Sequence, residues 1–292
     1  MTASLASVEA QAKVNLFLRV LAREESGYHQ IETLFTRIEL TDSVRVATDT
    51  AARELITEGA DTGPMERNLA YRAAEAFMAA AAWPRGFAIR IEKRIPVRGG
   101  LGGGSADAGA VLRALNALAP KPLSGAALAT LGLRLGADVP FLTSDHALAL
   151  AWGRGERMLG LRSLPAREVL LCVPPVGVET KDAFAWIAAS RAGRALDAPE
   201  PLTIDDLDRW DGVGRLAEND LEADVAQRHP VIATCVKRLA DSGARIARMS
   251  GSGSTVFGIF ERRATELSGL PEGVRLVQTR TATSVQPVRL LD

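Results

Sequence analysis

Pro96–Gly109 reads P-V-R-G-G-L-G-G-G-S-A-D-A-G, and five of the six residues from Gly99 to Gly104 are glycine. Upstream, Phe87, Ile89 and Ile91 alternate as a β-strand does; downstream, Ala108, Val111, Leu112, Leu115 and Leu118 recur at helical spacing as far as Pro120. A loop in that setting receives the free N–H groups and the positive end of the following helix. Without Cβ atoms, its backbone can take positive φ and approach a ligand closely. Together these describe a cradle for phosphate. The plainer alternative, a tight strand–helix crossing, is served by one or two glycines. Two common nucleotide loops fail on named residues. Gly99 and Gly104 have Walker A spacing, but Ser105-Ala106 stands where a lysine and a hydroxyl are required. Gly100-x-Gly102 is followed by Ser105 where the dinucleotide fingerprint has its third glycine.

Outward from the loop, Ala12–Val20 (A-K-V-N-L-F-L-R-V) places Ala12, Val14, Leu16, Leu18 and Val20 on one face of a half-buried strand. Lys13, Asn15, Phe17 and Arg19 take the other face. Further strands are expected at Ile31–Leu40 and Val44–Val46, and a helix over Asn68–Ala82. A second helix, Ser124–Leu135, is expected to close on Gly136 as a C′ glycine, before a hairpin of Ala147–Trp152 and Glu156–Leu159. The second half reads as strand Val169–Val173, helices near Lys181–Ala189 and Pro230–Ser242, and strands Thr255–Phe260 and Arg275–Thr281. It also carries a second glycine-serine loop, S-G-S-G-S, at Ser250–Ser254. Mixed strands and helices in both halves predict an α+β protein of two domains, 1–160 with the glycine-rich loop and 161–292.

Composition narrows the function. The 292 residues include 35 basic and 35 acidic side chains, and zero net charge argues against a surface that grips nucleic acid or anionic lipid. A chain 47% hydrophobic and 24% charged is globular rather than disordered. No apolar run reaches the roughly 20 residues that span a bilayer, and the N-terminus lacks the form of a signal peptide, so no membrane partner and a cytoplasmic location are expected. Cys172 and Cys235 form no C-x-x-C pair, and His29, His146 and His229 are scattered, so no cysteine or histidine metal cluster is expected.

The glycine loop resembles the phosphate loop of the GHMP small-molecule kinases, and the likeness runs along the chain. A-K-V-N-L-F-L-R-V with G-Y-H at Gly27–His29 resembles the opening of one member of that family. L-G-A-D-V-P-F at Leu135–Phe141 resembles its catalytic aspartate segment, and A-R-M-S-G-S-G-S-T-V-F-G at Ala247–Gly258 its third glycine motif. Ala106 departs from the pattern, where many members have a second serine, which leaves Ser105 or Asp107 to offer an oxygen to the phosphates or the metal. The resemblance implies an N-terminal domain of ribosomal-protein-S5-like domain 2 type, a C-terminal ferredoxin-like α/β domain, and a site in the cleft between them. It also implies transfer of phosphoryl from ATP, with Mg²⁺, to a hydroxyl of a cytidine-diphosphate small molecule.

On that footing residues take roles. Asp138, alone more often a turn or cap residue, becomes the base or the group that orients the attacking hydroxyl. Lys13 becomes its electrostatic partner, although from pattern alone a lysine on the solvent face of an edge strand is an equal reading. Pro96, Val97, Arg98, Gly99, Gly100, Leu101, Gly102, Gly103, Gly104, Ser105 and Ala106 surround the ATP phosphates. Asn68, by itself a plain N-cap, falls near the adenine pocket. Asn15 shares the face of Lys13 and suits substrate hydroxyls; Tyr28, His29, Thr180 and Phe184 fall at the cytidine end; Gly251, Ser252 and Gly253 allow backbone approach to the substrate. The rival readings are a homoserine- or mevalonate-type kinase, whose substrates have no base to stack, and a non-catalytic nucleotide-binding regulator, against which the presence of both Lys13 and Asp138 counts. A monomer or weak homodimer is expected.

Overall fold

Hydrophobic alternation extends well beyond Ala12–Val20. In the computed structural model, which describes residues 3–24, 29–192, 201–262 and 267–291, β1 runs Leu5–Arg23 and pairs antiparallel with β2, His29–Ala47. The two strands expected at Ile31–Leu40 and Val44–Val46 are thus one. Register shifts at Gln11/Lys13, Asn15/Phe17 and Val20/Ala22 break the period of two, as β-bulges do when they re-aim side chains. The strand is not half-buried: Lys13, Asn15 and Phe17 are as enclosed as Val14 and Leu16.

β3 (Arg53–Glu58) and β4 (Phe87–Glu92) form a parallel pair, and β4 joins β2 antiparallel. The other end of β2 pairs with β5 (Leu148–Gly153), which makes the expected hairpin with β6 (Arg157–Leu161). The α-helices of this half are, among the described residues, α1 (Leu69–Ala80), α2 (Gly103–Leu118), α3 (Gly125–Leu135) and α4 (Val139–Thr143). The apolar side of α2 enters the core with β1 and β2: Val111, Leu112 and Leu115 are fully enclosed with Val14, Leu16 and Ile38. Gly136 does end α3, but with φ 173° it is extended, not left-handed.

The second half holds an antiparallel sheet of β7 (Glu168–Val173), β8 (Ile246–Met249), β9 (Val256–Phe260) and β10 (Arg275–Arg280), in the order β10-β7-β9-β8. With it go α5 (Thr180–Ser190), α6 (Ile204–Leu207), α7 (Trp210–Leu216), α8 (Glu222–Arg228) and α9 (Pro230–Asp241). Cys172 and Cys235 meet in this core and share a hydrogen bond, which raises the Cys172 thiol far above its ordinary value. After β10 the chain returns to the first sheet. Ala282 N–H donates to Arg37 O at 2.9 Å, Gln286 N–H to Gln11 Oε1 at 2.9 Å, and β11 (Arg289–Leu291) pairs antiparallel with the start of β1. Among the described residues no helix is long and apolar enough to cross a membrane.

Candidate active site

The glycine loop links β4 to α2, with Gly102 in the left-handed region at φ 70° as the N-cap of α2. Its glycines have different reasons to be there. A Cβ on Gly100 (φ 73°) would fall 2.1 Å from Ser250 O, and one on Gly99 2.6 Å from Thr255 Oγ1. The two glycine loops therefore touch: Thr255 N–H donates to Gly99 O at 3.2 Å and Ser250 Oγ–H to Gly100 O at 2.9 Å. A Cβ on Gly102 would press on the Lys13 side chain at 3.1 Å, and one on Gly103 on Ile95 at 3.0 Å. Gly104 has no such neighbour. It is exposed in the first turn of α2, and outside its own helix the nearest atom to an added Cβ is Leu69 Cδ1 at 3.8 Å. Nothing in the folded chain requires glycine there; what the missing Cβ leaves is open space above helix N–H groups that have no partner inside the helix.

Lys13 meets the same loop at Gly102, and Asp138 pairs with that lysine. Asp138 occupies the N-cap position of α4 but makes no capping bond. Its Oδ2 instead lies 3.3 Å from Lys13 Nζ, with the lysine buried and the aspartate side chain 29% exposed. Lys13 Nζ also donates to Asn15 Oδ1 at 2.7 Å; Asn15 Nδ2 donates to Thr33 Oγ1 at 2.8 Å, and Thr33 Oγ1 to Phe17 O at 2.6 Å. That chain fixes the ammonium, so the inward reading of Lys13 describes it and the edge-strand reading does not. Gly251 joins the group: a Cβ there would lie 3.4 Å from both Lys13 Nζ and Asn15 Oδ1.

The seat of Asp138 depends on a residue that the sequence reading missed. Arg37 is buried and donates to the carbonyls of Phe141 at 2.8 Å, Ser144 at 3.0 Å and His146 at 3.0 Å, closing the C-terminal end of α4. Phe141 also stacks on Phe35 at 5.1 Å. A lone arginine inside the apolar run L-F-T-R-I was the available signal.

The remaining candidates divide. His29 stacks on Phe184 with ring centroids 5.0 Å apart, and Thr180 Oγ1 lies 3.0 Å from Ser252 Oγ. Tyr28 lies outside the described residues. Gly253 (φ 88°) is explained within the fold, since a Cβ would strike Met249 Sδ at 2.6 Å. Pro96 and exposed Val97 form the outer approach to the loop, and exposed Arg98 reaches Glu179 Oε1 at 3.8 Å. Leu101 is buried beneath, its carbonyl accepting from Lys13 N–H at 3.0 Å. Asn68 caps α1, accepting from Ala70 N–H at 2.9 Å and donating to Thr62 Oγ1 at 3.2 Å; the plain N-cap reading describes its geometry.

Ala106 and Asp107 both point into the core. Asp107 pairs with Lys93 at 2.6 Å, and Lys93 pairs in turn with Asp42. Burial pushes the Asp107 carboxyl up to about 8 against the pull of Lys93, with Asp42 adding to the rise. Burial works against the charge of Lys93 as well, but the two carboxylates outweigh it and hold that ammonium above its ordinary value. Of the two side chains expected to offer oxygen to phosphate or metal, Asp107 is therefore withdrawn and Ser105 remains. Among the described residues no group of three or more His, Cys, Asp or Glu could hold a metal ion.

Residues 68–146 match the GHMP kinases N terminal domain family, and residues 203–268 the GHMP kinases C terminal family. The chain is 38% identical over 262 residues to the 4-diphosphocytidyl-2-C-methyl-D-erythritol kinase of Solibacter usitatus (strain Ellin6076), covering 88% of this chain and 82% of that one. It is 41% identical over 259 residues to the enzyme of the same name from Anaeromyxobacter sp. (strain K), covering 87% and 80%. A crystal structure of a 4-(cytidine 5'-diphospho)-2C-methyl-D-erythritol kinase matches with a TM-score of 0.74 at 35% identity, over 94% of this chain and 98% of that one. Homoserine kinase from Cytophaga hutchinsonii ATCC 33406 matches at 0.66 with 15% identity, over 99% and 98%, a likeness of fold alone.

Proposed function

The chain belongs to the 4-diphosphocytidyl-2-C-methyl-D-erythritol kinase family of GHMP kinases, and we propose that it transfers the γ-phosphoryl group of ATP to the 2-hydroxyl of 4-diphosphocytidyl-2-C-methyl-D-erythritol. The products are the 2-phosphate and ADP, a step of the non-mevalonate route to isoprenoid precursors in the cytoplasm. The observation that carries this reading is an aspartate at a helix start that does not cap its helix but meets, at 3.3 Å, a buried lysine that lies 3.1 Å from where a Cβ on Gly102 of the phosphate loop would stand. In this reading residues 1–160 supply the phosphate loop, Lys13, Asn15 and Asp138, and residues 161–292 supply Thr180, Phe184 and the second glycine loop.

The start of α2 takes the β- and γ-phosphates through backbone N–H groups and the helix dipole, which is how a chain of zero net charge can hold a polyanion. The substrate hydroxyl donates to Asp138. As its oxygen forms the bond to γ-phosphorus and the bond to the bridging oxygen of ADP breaks, the proton passes to the carboxylate. Lys13, 3.3 Å from that carboxylate, offsets charge that develops during transfer. Mg²⁺ carried with the nucleotide would neutralise phosphate charge; it needs only one or two protein oxygens, and the Ser105 hydroxyl is suited to provide one. Phe184, backed on one side by His29, presents its other face to the cytosine, and the imidazole of His29 offers a hydrogen-bonding edge.

The test is ADP release from ATP with the cytidine diphosphate alcohol, homoserine and mevalonate offered separately. Transfer to the first alone is expected. Transfer to homoserine or mevalonate alone would replace the substrate assignment, and ATP binding with no transfer would favour the regulator.

A further inference from the structure

The segment Glu218–Glu222, E-N-D-L-E, links α7 to α8 and belongs to none of the motifs read from the sequence. It is docked on β1 just past Asn15. Leu18 N–H donates to Glu218 O at 2.8 Å and Asp220 N–H to Leu18 O at 2.9 Å, which makes a parallel bridge between Leu18 and Asn219. Asp220 Oδ2 accepts from Val20 N–H at 2.6 Å and pairs with Arg191 at 2.9 Å, and Glu218 pairs with Arg19. From this anchored position Asn219 reaches the second glycine loop. Its Nδ2 donates to Met249 O at 2.7 Å and to Gly251 O at 2.8 Å, while Oδ1 accepts from Leu221 N–H at 3.0 Å. Glu222 adds an acceptor for Met249 N–H at 2.6 Å. The loop held in this way is the one that stands against Lys13 and Asn15 and that carries Ser252 to Thr180.

We infer that Asn219 is a positioning residue: its two amide protons set the place of Gly251–Ser252 relative to Lys13 and Asn15, and so the seat of the phosphoryl acceptor. β1 thus flanks the loop twice, through Asn219 at Leu18, and at Lys13 and Asn15, each 3.4 Å from where a Cβ on Gly251 would stand. A residue that only shaped the turn before α8 would need Oδ1 alone, and aspartate would serve there equally well. Holding two carbonyls needs two donors on one planar group, which asparagine has and aspartate lacks. The contacts that bind this loop to the phosphate loop are made separately, by Ser250 and Thr255, so nucleotide affinity does not depend on Asn219.

This inference rests on the kinase reading for its kinetic half, and the experiment has a second half that does not. Asn219→Asp keeps the acceptor for Leu221 and removes both donors. We expect its KM for the cytidine diphosphate alcohol to rise about 10-fold and kcat to fall about 10-fold, with the Kd for ATP within about twofold of wild type. Ile232→Val, a change in the same core cluster that removes none of these hydrogen bonds, is the control for lost stability, with both constants expected unchanged. Independently of activity, amide exchange at Gly251, Ser252 and Ser254 should quicken by about 10-fold or more in Asn219→Asp. An acceptor KM and loop exchange both at wild-type values would overturn the inference, as would equal losses in the control. An inactive wild type would instead overturn the kinase reading, leaving loop exchange to decide the role of Asn219. If Asn219→Asp fails to fold, Asn219→Ser, which also keeps an acceptor, takes its place.

Discussion

Gly104→Ala separates what the fold needs from what the ligand needs. At most phosphate-loop glycines an alanine collides with the protein: a Cβ at Gly100 lies 2.1 Å from Ser250 O on a backbone at φ 73°. Lost activity in such a variant says nothing about phosphate. At Gly104 the added methyl has Leu69 Cδ1 at 3.8 Å, an ordinary contact, in a helical residue without positive φ. Alanine in a helix is favoured over glycine by about 0.5–1 kcal/mol, so without ligand the variant should melt about 1–3 °C above wild type. The Cα–Cβ bond of a helical residue tilts toward the helix N-terminus, so the methyl should crowd the approach to the first N–H groups of α2. A phosphate oxygen must come within about 2.9 Å of such a nitrogen to bond to it, and a methyl in its path holds it off by roughly 1 Å. Misplacement of that size costs on the order of 10²-fold, or about 2.7 kcal/mol in kcat/KM for ATP. The assay pairs thermal unfolding without nucleotide with steady-state kinetics at varied ATP and saturating alcohol. A raised melting temperature with kcat/KM lowered about 100-fold is expected. Wild-type kcat/KM would place the phosphates elsewhere and refute the cradle; lowered stability would refute the packing argument.

Asp138→Asn should lower kcat by about 10²- to 10⁴-fold while ATP affinity, followed by titration, stays within about twofold; an active variant would remove the proton-accepting role. Phe184→Ala should raise KM for the cytidine diphosphate alcohol about 10-fold, the loss of roughly 1–1.5 kcal/mol of stacking, and leave KM for ATP unchanged; equal effects on both substrates would dissociate Phe184 from the base. Asp107, its carboxyl raised to about 8 by burial, binds a proton in the folded protein that the unfolded chain gives up near pH 4. Its contribution to stability is full below about pH 4 and is lost as the pH rises toward 8. Asp107→Asn should therefore flatten the fall in melting temperature between pH 5 and 8, and an unaltered slope in the variant would contradict the burial argument.

What the sequence disclosed were features that repeat or that lie close together along it. The helical spacing from Ala108 to Leu118 and the glycines before it gave α2 and its loop, since both are local. The alternation at Ala12–Val20 located β1 but not its burial, because bulges and a covering helix are invisible to a period of two. Lys13 and Asp138 were paired only through resemblance; no spacing rule brings a strand near the N-terminus to the start of α4. Asp107 stayed an alternative to Ser105 for a similar reason. An acid in the first turns of a helix suits the dipole and a metal equally well, and the partners that draw it inward, Lys93 and Asp42, lie on other elements. β11, three residues long, is too short to show any period.

The returning end of the chain bears on how the protein is made. Leu5–Ser7 take their outer hydrogen bonds from Arg289–Leu291, so the strand that carries Lys13 waits for nearly the whole polypeptide before its first residues are flanked on both sides. Contacts of such sequence separation form late and slowly, and that edge of β1 stays open to other chains until Arg289–Leu291 have been made and docked. A permutant in which Leu291 runs through a short linker into Leu5 would turn this most distant of pairings into a local hairpin.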